Sequence, residues 1–177
     1  MKPWIIAGAA VLVVAAIVVV LVLTLGGSHC KLDYDDDVLE TIEDEKGLKD
    51  VYEKTMNTVA SLNLTKLVDL MPPEVRKEAK KNDDVMDMMK ETEKALKKSG
   101  GKILSAKATG ISEIGSGQLD YLAEMFEDEF DKEIDIDEGY SIQVKMKAEV
   151  DGDKETSSFS FEFIKVDGKW YLLTTDI

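Results

Sequence analysis

The sequence predicts an α+β domain behind one N-terminal membrane helix. Three observations carry this. A charge-free apolar run opens the chain, apolar residues then recur at helical spacing through its middle, and strict two-residue alternation fills its last forty residues.

From Trp4 to Leu25 no side chain is charged, and Val, Leu, Ile and Ala dominate. At about 1.5 Å per residue this run reaches about 33 Å, enough to cross a hydrocarbon core. We therefore expect an anchor over residues 1–27. Lys2 and the amino terminus precede the run, whereas Lys31 and the acids Asp33, Asp35, Asp36 and Asp37 follow it, which favours a cytoplasmic N-terminus and an extracytoplasmic C-terminal domain at the cell membrane. The competing reading is a cleaved signal peptide, because Gly26-Gly27-Ser28 has a processing-site character. Against it stand the length of the apolar run and the thin basic region before it. Lipidation of Cys30 as a lipoprotein would need a small residue where His29 stands.

Residues 28–42 are expected to form an acidic linker, flexible from about Gly26 to Asp37. The α+β domain is then expected over 43–177. Leu48, Val51, Tyr52, Met56, Val59 and Leu62 predict an amphipathic helix from about Glu43 to Ser61. Leu64, Leu67, Val68 and Met71 predict a second, short helix that Pro72-Pro73 ends, and a third helical piece starts at the prolines. Asn82 and Asp83 cap the next helix, with Val85, Met88, Met89 and Leu96 on one side and Lys94, Lys97 and Lys98 near its C-terminal end.

The period then changes. Leu104, Ala106 and Ala108 predict a strand from Lys102 to about Ile114. Ser116 can cap a helix with Leu119, Leu122, Ala123, Phe126 and Phe130 on its apolar face. Tyr140, Ile142, Val144, Met146, Ala148 and Val150 alternate with polar residues, as do Phe159, Phe161 and Phe163, and then Trp170, Leu172 and Thr174. Asp151-Gly152-Asp153 and Asp167-Gly168 supply the turns of a three-strand meander. Such alternation predicts an antiparallel sheet with one face buried and the other in water.

The stretch from Tyr140 to Leu173, with Val166-Asp167-Gly168-Lys169-Trp170-Tyr171-Leu172 at its end, resembles the final strands of small extracytoplasmic bacterial proteins of the nuclear transport factor 2-like superfamily. The resemblance covers roughly Glu43 to Ile177. It implies a cystatin-like cone in which a curved antiparallel sheet wraps around helices. That superfamily includes isomerases, dehydratases and non-catalytic modules, so it leaves function open.

Chemistry is thin. The single His and the single Cys, His29 and Cys30, adjoin the apolar run, which excludes an intramolecular disulfide, a Ser-His or Cys-His nucleophile within the domain, and a structural Cys/His zinc site. A Gly-rich phosphate loop is lacking too. The acids Asp131, Glu133, Asp135, Asp137 and Glu138 fail the EF-hand pattern, because Ile136 occupies the sixth position, where Gly is needed. Asn63-Leu64-Thr65 matches a glycosylation sequon by pattern alone. All 36 Asp and Glu and all but one of the 22 Lys and Arg follow the apolar run, so the part after it carries 15 net negative charges, which argues against nucleic acid and anionic lipid as partners.

We expect no metal, no cofactor and no catalytic residue. Phe126, Phe130, Tyr140 and Trp170 are the candidates for lining a pocket at the open end of the cone. The expected function is a non-enzymatic binding or structural module of the cell envelope. Its partners would be the membrane, through its single helix, a protein or envelope component, and a second copy in a homodimer. The alternative is a small isomerase- or dehydratase-type enzyme with a carboxylate or tyrosine in the pocket.

Overall fold

The computed structural model describes residues 30–99, 102–130, 134–150 and 153–176. The expected anchor at 1–27 lies outside them. Among the described residues no helix is long and apolar enough to cross a membrane.

The stretch expected as an acidic linker is instead part of the domain. Strand β1 (Lys31–Tyr34) leads into helix α1 (Asp36–Asp44), and Val38 and Ile42, four residues apart, are fully buried there. Two buried apolar residues in a helix with five acids are a faint helical signal, but one stripe of two suffices to seat nine residues. Asp36 and Asp37 sit in the first turn, where the helix dipole favours anions.

Helix α2 spans Leu48–Ala60, so the single helix expected from Glu43 is broken. Gly47 causes the break. It precedes α2 at φ 95°, a left-handed conformation that costs glycine little, and the chain changes direction there. Leu48, Val51, Tyr52, Thr55, Met56, Val59 and Ala60 form the buried stripe of α2. Thr55 is satisfied inside it, its hydroxyl donating to the Val51 carbonyl at 2.8 Å.

The short helix expected around Leu67 is a 3-10 segment, Leu64–Leu70, with Leu64, Leu67 and Val68 buried. Glu93 holds its start, accepting from both the Thr65 amide and the Thr65 hydroxyl at 2.7 Å. Pro73 opens α3 (Pro73–Lys81), where its missing N–H is harmless. Helix α4 (Asp83–Ser99) follows, and Asn82 Oδ1 accepts from the Val85 amide at 3.3 Å as its cap.

Strand β2 (Lys102–Glu113), helix α5 (Ser116–Phe130) and strands β3 (Ile136–Val150), β4 (Asp153–Val166) and β5 (Lys169–Asp176) complete the fold. The strands stand in sequence order across one sheet. β1 pairs parallel with β2, and every other pairing is antiparallel, so the sheet is mixed where a purely antiparallel one was expected. The long helical connection from β1 to β2 permits that parallel pairing. Asp167 and Gly168, at φ 52° and 70°, make the tight turn from β4 to β5 with the two positive φ values that suit strand twist.

The inner face of the sheet carries Ile142, Val144, Met146, Phe159, Phe161, Phe163 and Leu172 against helices α1 to α4. The outer face departs from expectation. Ile164 and Val166 point away from that core and join Ile114, Leu119, Phe126, Ile134 and Leu173 in a second apolar cluster beneath α5. One end of the outer face is therefore covered, and the rest is polar.

Gly139, paired with Ile164 on β4, lies under the side chains of Ile114 and of Leu119 at the start of α5. A Cβ at this position would lie 3.0 Å from both Ile114 Cδ1 and Leu119 Cδ2. Gly139→Ala is thus expected to destabilise the domain by about 1–3 kcal/mol in urea denaturation. Gly117→Ala, whose new methyl would meet nothing within 4 Å, is the matched comparison and should be neutral or stabilising. Equal urea midpoints for the two variants would mean that α5 is not seated on the sheet.

Candidate functional site

Two of the four residues expected to line a pocket come together. Tyr140 on β3 and Trp170 on β5 both point to the inner face, with ring centroids 5.7 Å apart. Phe126 does not join them, because α5 holds it in the second cluster on the opposite face of the sheet. The side chain of Phe130 lies outside the described residues.

The Tyr140–Trp170 pair is completed by residues not singled out from the sequence. Two-residue alternation along β4 places Lys165 on the same face as Phe161 and Phe163. Its ammonium stands 5.5 Å from the Trp170 ring centroid and pairs with Glu138 at 2.7 Å and with Glu45, just past α1, at 3.4 Å. A lysine at an inward strand position was the available signal. Its two carboxylate partners could be found only from cross-strand register and from the turn at Gly47. The group ties the end of α1 to the sheet, and a Cβ at Gly47 would meet Trp170 Cδ1 at an ordinary 3.6 Å, so the left-handed φ and not space calls for glycine there.

The electrostatics run against base catalysis. Partial burial, followed by the carboxylates Glu45, Glu113 and Glu138, pushes the Tyr140 hydroxyl up from its ordinary value, with Lys165 opposing. A phenol held more firmly protonated is a weaker proton acceptor at neutral pH.

A second tyrosine group lies deeper. Tyr52 is fully buried and its hydroxyl has no hydrogen-bond partner among the described residues, while its ring centroid lies 5.7 Å from that of Tyr34 and 6.2 Å from that of Phe163. Tyr34 donates to Glu53 at 3.0 Å. Burial is the first cause pushing both hydroxyls up, with Glu53 adding to it. The sign follows from linkage. Above pH about 10 an unfolded tyrosine releases its proton while Tyr34, Tyr52 and Tyr140 keep theirs, so the folded state binds more protons and stability falls as pH rises. We expect alkaline unfolding in which the tyrosinate absorbance at 295 nm and the loss of circular dichroism rise together. Full tyrosinate absorbance in a still-folded protein would show that these hydroxyls are not buried.

Two acids of the run at 131–138 have structural partners, Glu138 in Lys165 and Asp137 in the β4–β5 turn. Asp137 accepts from the Gly168 amide at 3.1 Å, which braces the β4–β5 turn. Among the described residues no group of three or more His, Cys, Asp or Glu is placed to hold a metal ion. Residues 131–133 of the acidic run lie outside the described residues. Asn63 borders an open surface depression of about 380 Å³ shared with Asn57, Lys66 and Asp69.

The uncovered part of the outer sheet face is the other candidate. There Lys145 and Lys147 on β3 are exposed beside Lys107 on β2 and Ser158 and Thr156 on β4. Comparison of the chain with protein-family models, with curated proteins and with solved structures gives no match.

Proposed function

We propose that this chain is a membrane-anchored, extracytoplasmic, non-enzymatic binding module of the cell envelope, built on the cone-like fold of the nuclear transport factor 2-like superfamily. The element order, a short strand and helices followed by a strand, a helix and a meander, supports that fold. The apolar run at Trp4–Leu25 supports the anchor.

One observation carries the binding role. The inner face is occupied mostly by its own aromatic and aliphatic side chains, whereas the outer face between β1 and β4 carries exposed polar residues, Lys107, Lys145, Lys147 and Ser158 among them. Thr55 is the one polar side chain fully buried among the described residues apart from Tyr52, and it is spent on a helix carbonyl. An enzyme of this fold would need an uncommitted ionisable group in the cone, whereas Lys165, Glu138 and Glu45 are spent on one another and Tyr140 is poised the wrong way for a base.

The test uses the full chain in its membrane. A photo-crosslinker at Lys145 should give a discrete adduct, and the same probe at Lys90 on α4 should not. Additional replacement of Lys147 and Glu149 should abolish the adduct. An adduct that survives those replacements would remove the outer face from the proposal.

A further inference from the structure

The exposed sheet face is built as two rows of side chains running across the strands. One row is Lys31, Ser105, Lys147 and Thr156, and the next is Asp33, Lys107, Lys145 and Ser158. Lys31 pairs with Asp33 at 3.2 Å and Lys107 with Asp35 at 2.5 Å. Lys145 and Lys147 have no ion-pair partner among the described residues.

This arrangement has a local cost. Lys107 and Lys145 are direct cross-strand partners, about 5 Å apart at Cβ, and like charges in that relation repel. Lys147 follows about 7 Å along the same strand. Asp35, paired with Lys107, relieves part of this, whereas acids farther off do little, because solvent-exposed charges are screened beyond about 8–10 Å. Asp33 stands in the second row and Asp35 holds Lys107, so Lys145 and Lys147, flanked by hydroxyls, are the uncompensated ammonium groups of this face in a protein of net charge −14.

What the two rows lack narrows their ligand. Neither row contains an aromatic or apolar side chain, so bases and sugar rings find nothing to stack on. Lysines act as point charges toward phosphate, and hydroxyls donate to its oxygens. Resting on the proposed envelope-binding role of this face, we infer that it binds a linear phosphate-rich polymer lying along the two rows, with Lys107, Lys145 and Lys147 as its main contacts.

The experiment titrates the full chain, in non-ionic detergent, with long-chain inorganic polyphosphate. Binding should weaken with added salt. Lys145→Ser with Lys147→Ser should lower affinity about tenfold or more and reduce the slope of log K against log salt by about 1.4, two contacts' worth. Lys90→Ser with Lys94→Ser, the same charge change on α4, should leave both unchanged. Unchanged circular dichroism in both doubles separates binding from folding, and Lys147→Glu provides a second variant with a larger expected loss.

Absence of binding at low salt, or equal losses in the two doubles, overturns the inference. So does equal affinity for polyglutamate, tighter binding to phosphatidylglycerol vesicles, or self-association that disappears with the lysines. A Lys145 crosslink that persists while polyphosphate fails to bind would remove only the phosphate assignment and leave the binding role of the face standing.

Discussion

A chain begun at Glu43 is expected to be largely unfolded, whereas one begun at Cys30 folds. The shorter chain loses β1 and most of α1. Val38 and Ile42 are fully buried, and each contributes about 1.5–3 kcal/mol by leaving water. Removing β1 also strips the parallel ladder from β2, the Asp35 amide bond to the Ala108 carbonyl at 2.9 Å, and the Tyr34 ring from Tyr52. The apolar losses alone approach a domain's whole stability of about 5–15 kcal/mol. Circular dichroism and urea titration of the two chains decide the matter. Equal midpoints would mean that residues 30–42 are an appendage and that the domain starts where periodicity first becomes obvious.

That boundary shows what could and could not be read in advance. The β3–β5 meander was legible, because Tyr140 to Ala148 and Phe159 to Phe163 alternate cleanly and Asp167-Gly168 is a strong turn signal, although the register shift opposite Glu162 and Phe163 left no sequence mark. β1 was not, because four residues of mixed character carry almost no periodicity, and their strand state depends on β2 lying alongside. Helix α1 was hidden by its acids, which outnumber the two residues that seat it. The cover that α5 places over one end of the outer face could have been suspected from Ile164 and Val166. These are apolar at positions where a single-sided sheet would be polar.

The candidate site divides the same way. Tyr140 and Trp170 share a face by alternation alone, so their meeting was legible. Phe126 was misplaced because helical periodicity gives a residue's face on its own helix but not the side of the sheet to which that helix goes. Lys165 was overlooked although its position in the alternation marks it as inward. The basic rows required register, which sequence patterns fix only within each hairpin.

Phe161→Ala should cost about 3–5 kcal/mol, the usual loss for an aromatic ring removed from a filled interior. Phe161 is fully buried on the inner face, opposite Ile142 on β3 and Thr175 on β5. Its neighbour Ser160 points to the outer face, and Ser160→Ala should stay within about 0.5 kcal/mol. Phe161→Leu, which keeps most of the volume, should fall between them. The series also probes function. If the inner face held an open, hydrated ligand pocket around Phe161, truncation would enlarge an existing space and cost only the transfer of the ring, well below the cavity-bearing value. A full loss in urea titration, with the polyphosphate affinity of the refolded protein unchanged, would assign stability to the inner face and recognition to the outer one. A near-neutral Phe161→Ala would reopen the cone as a binding site and restore the enzyme reading as the stronger of the two.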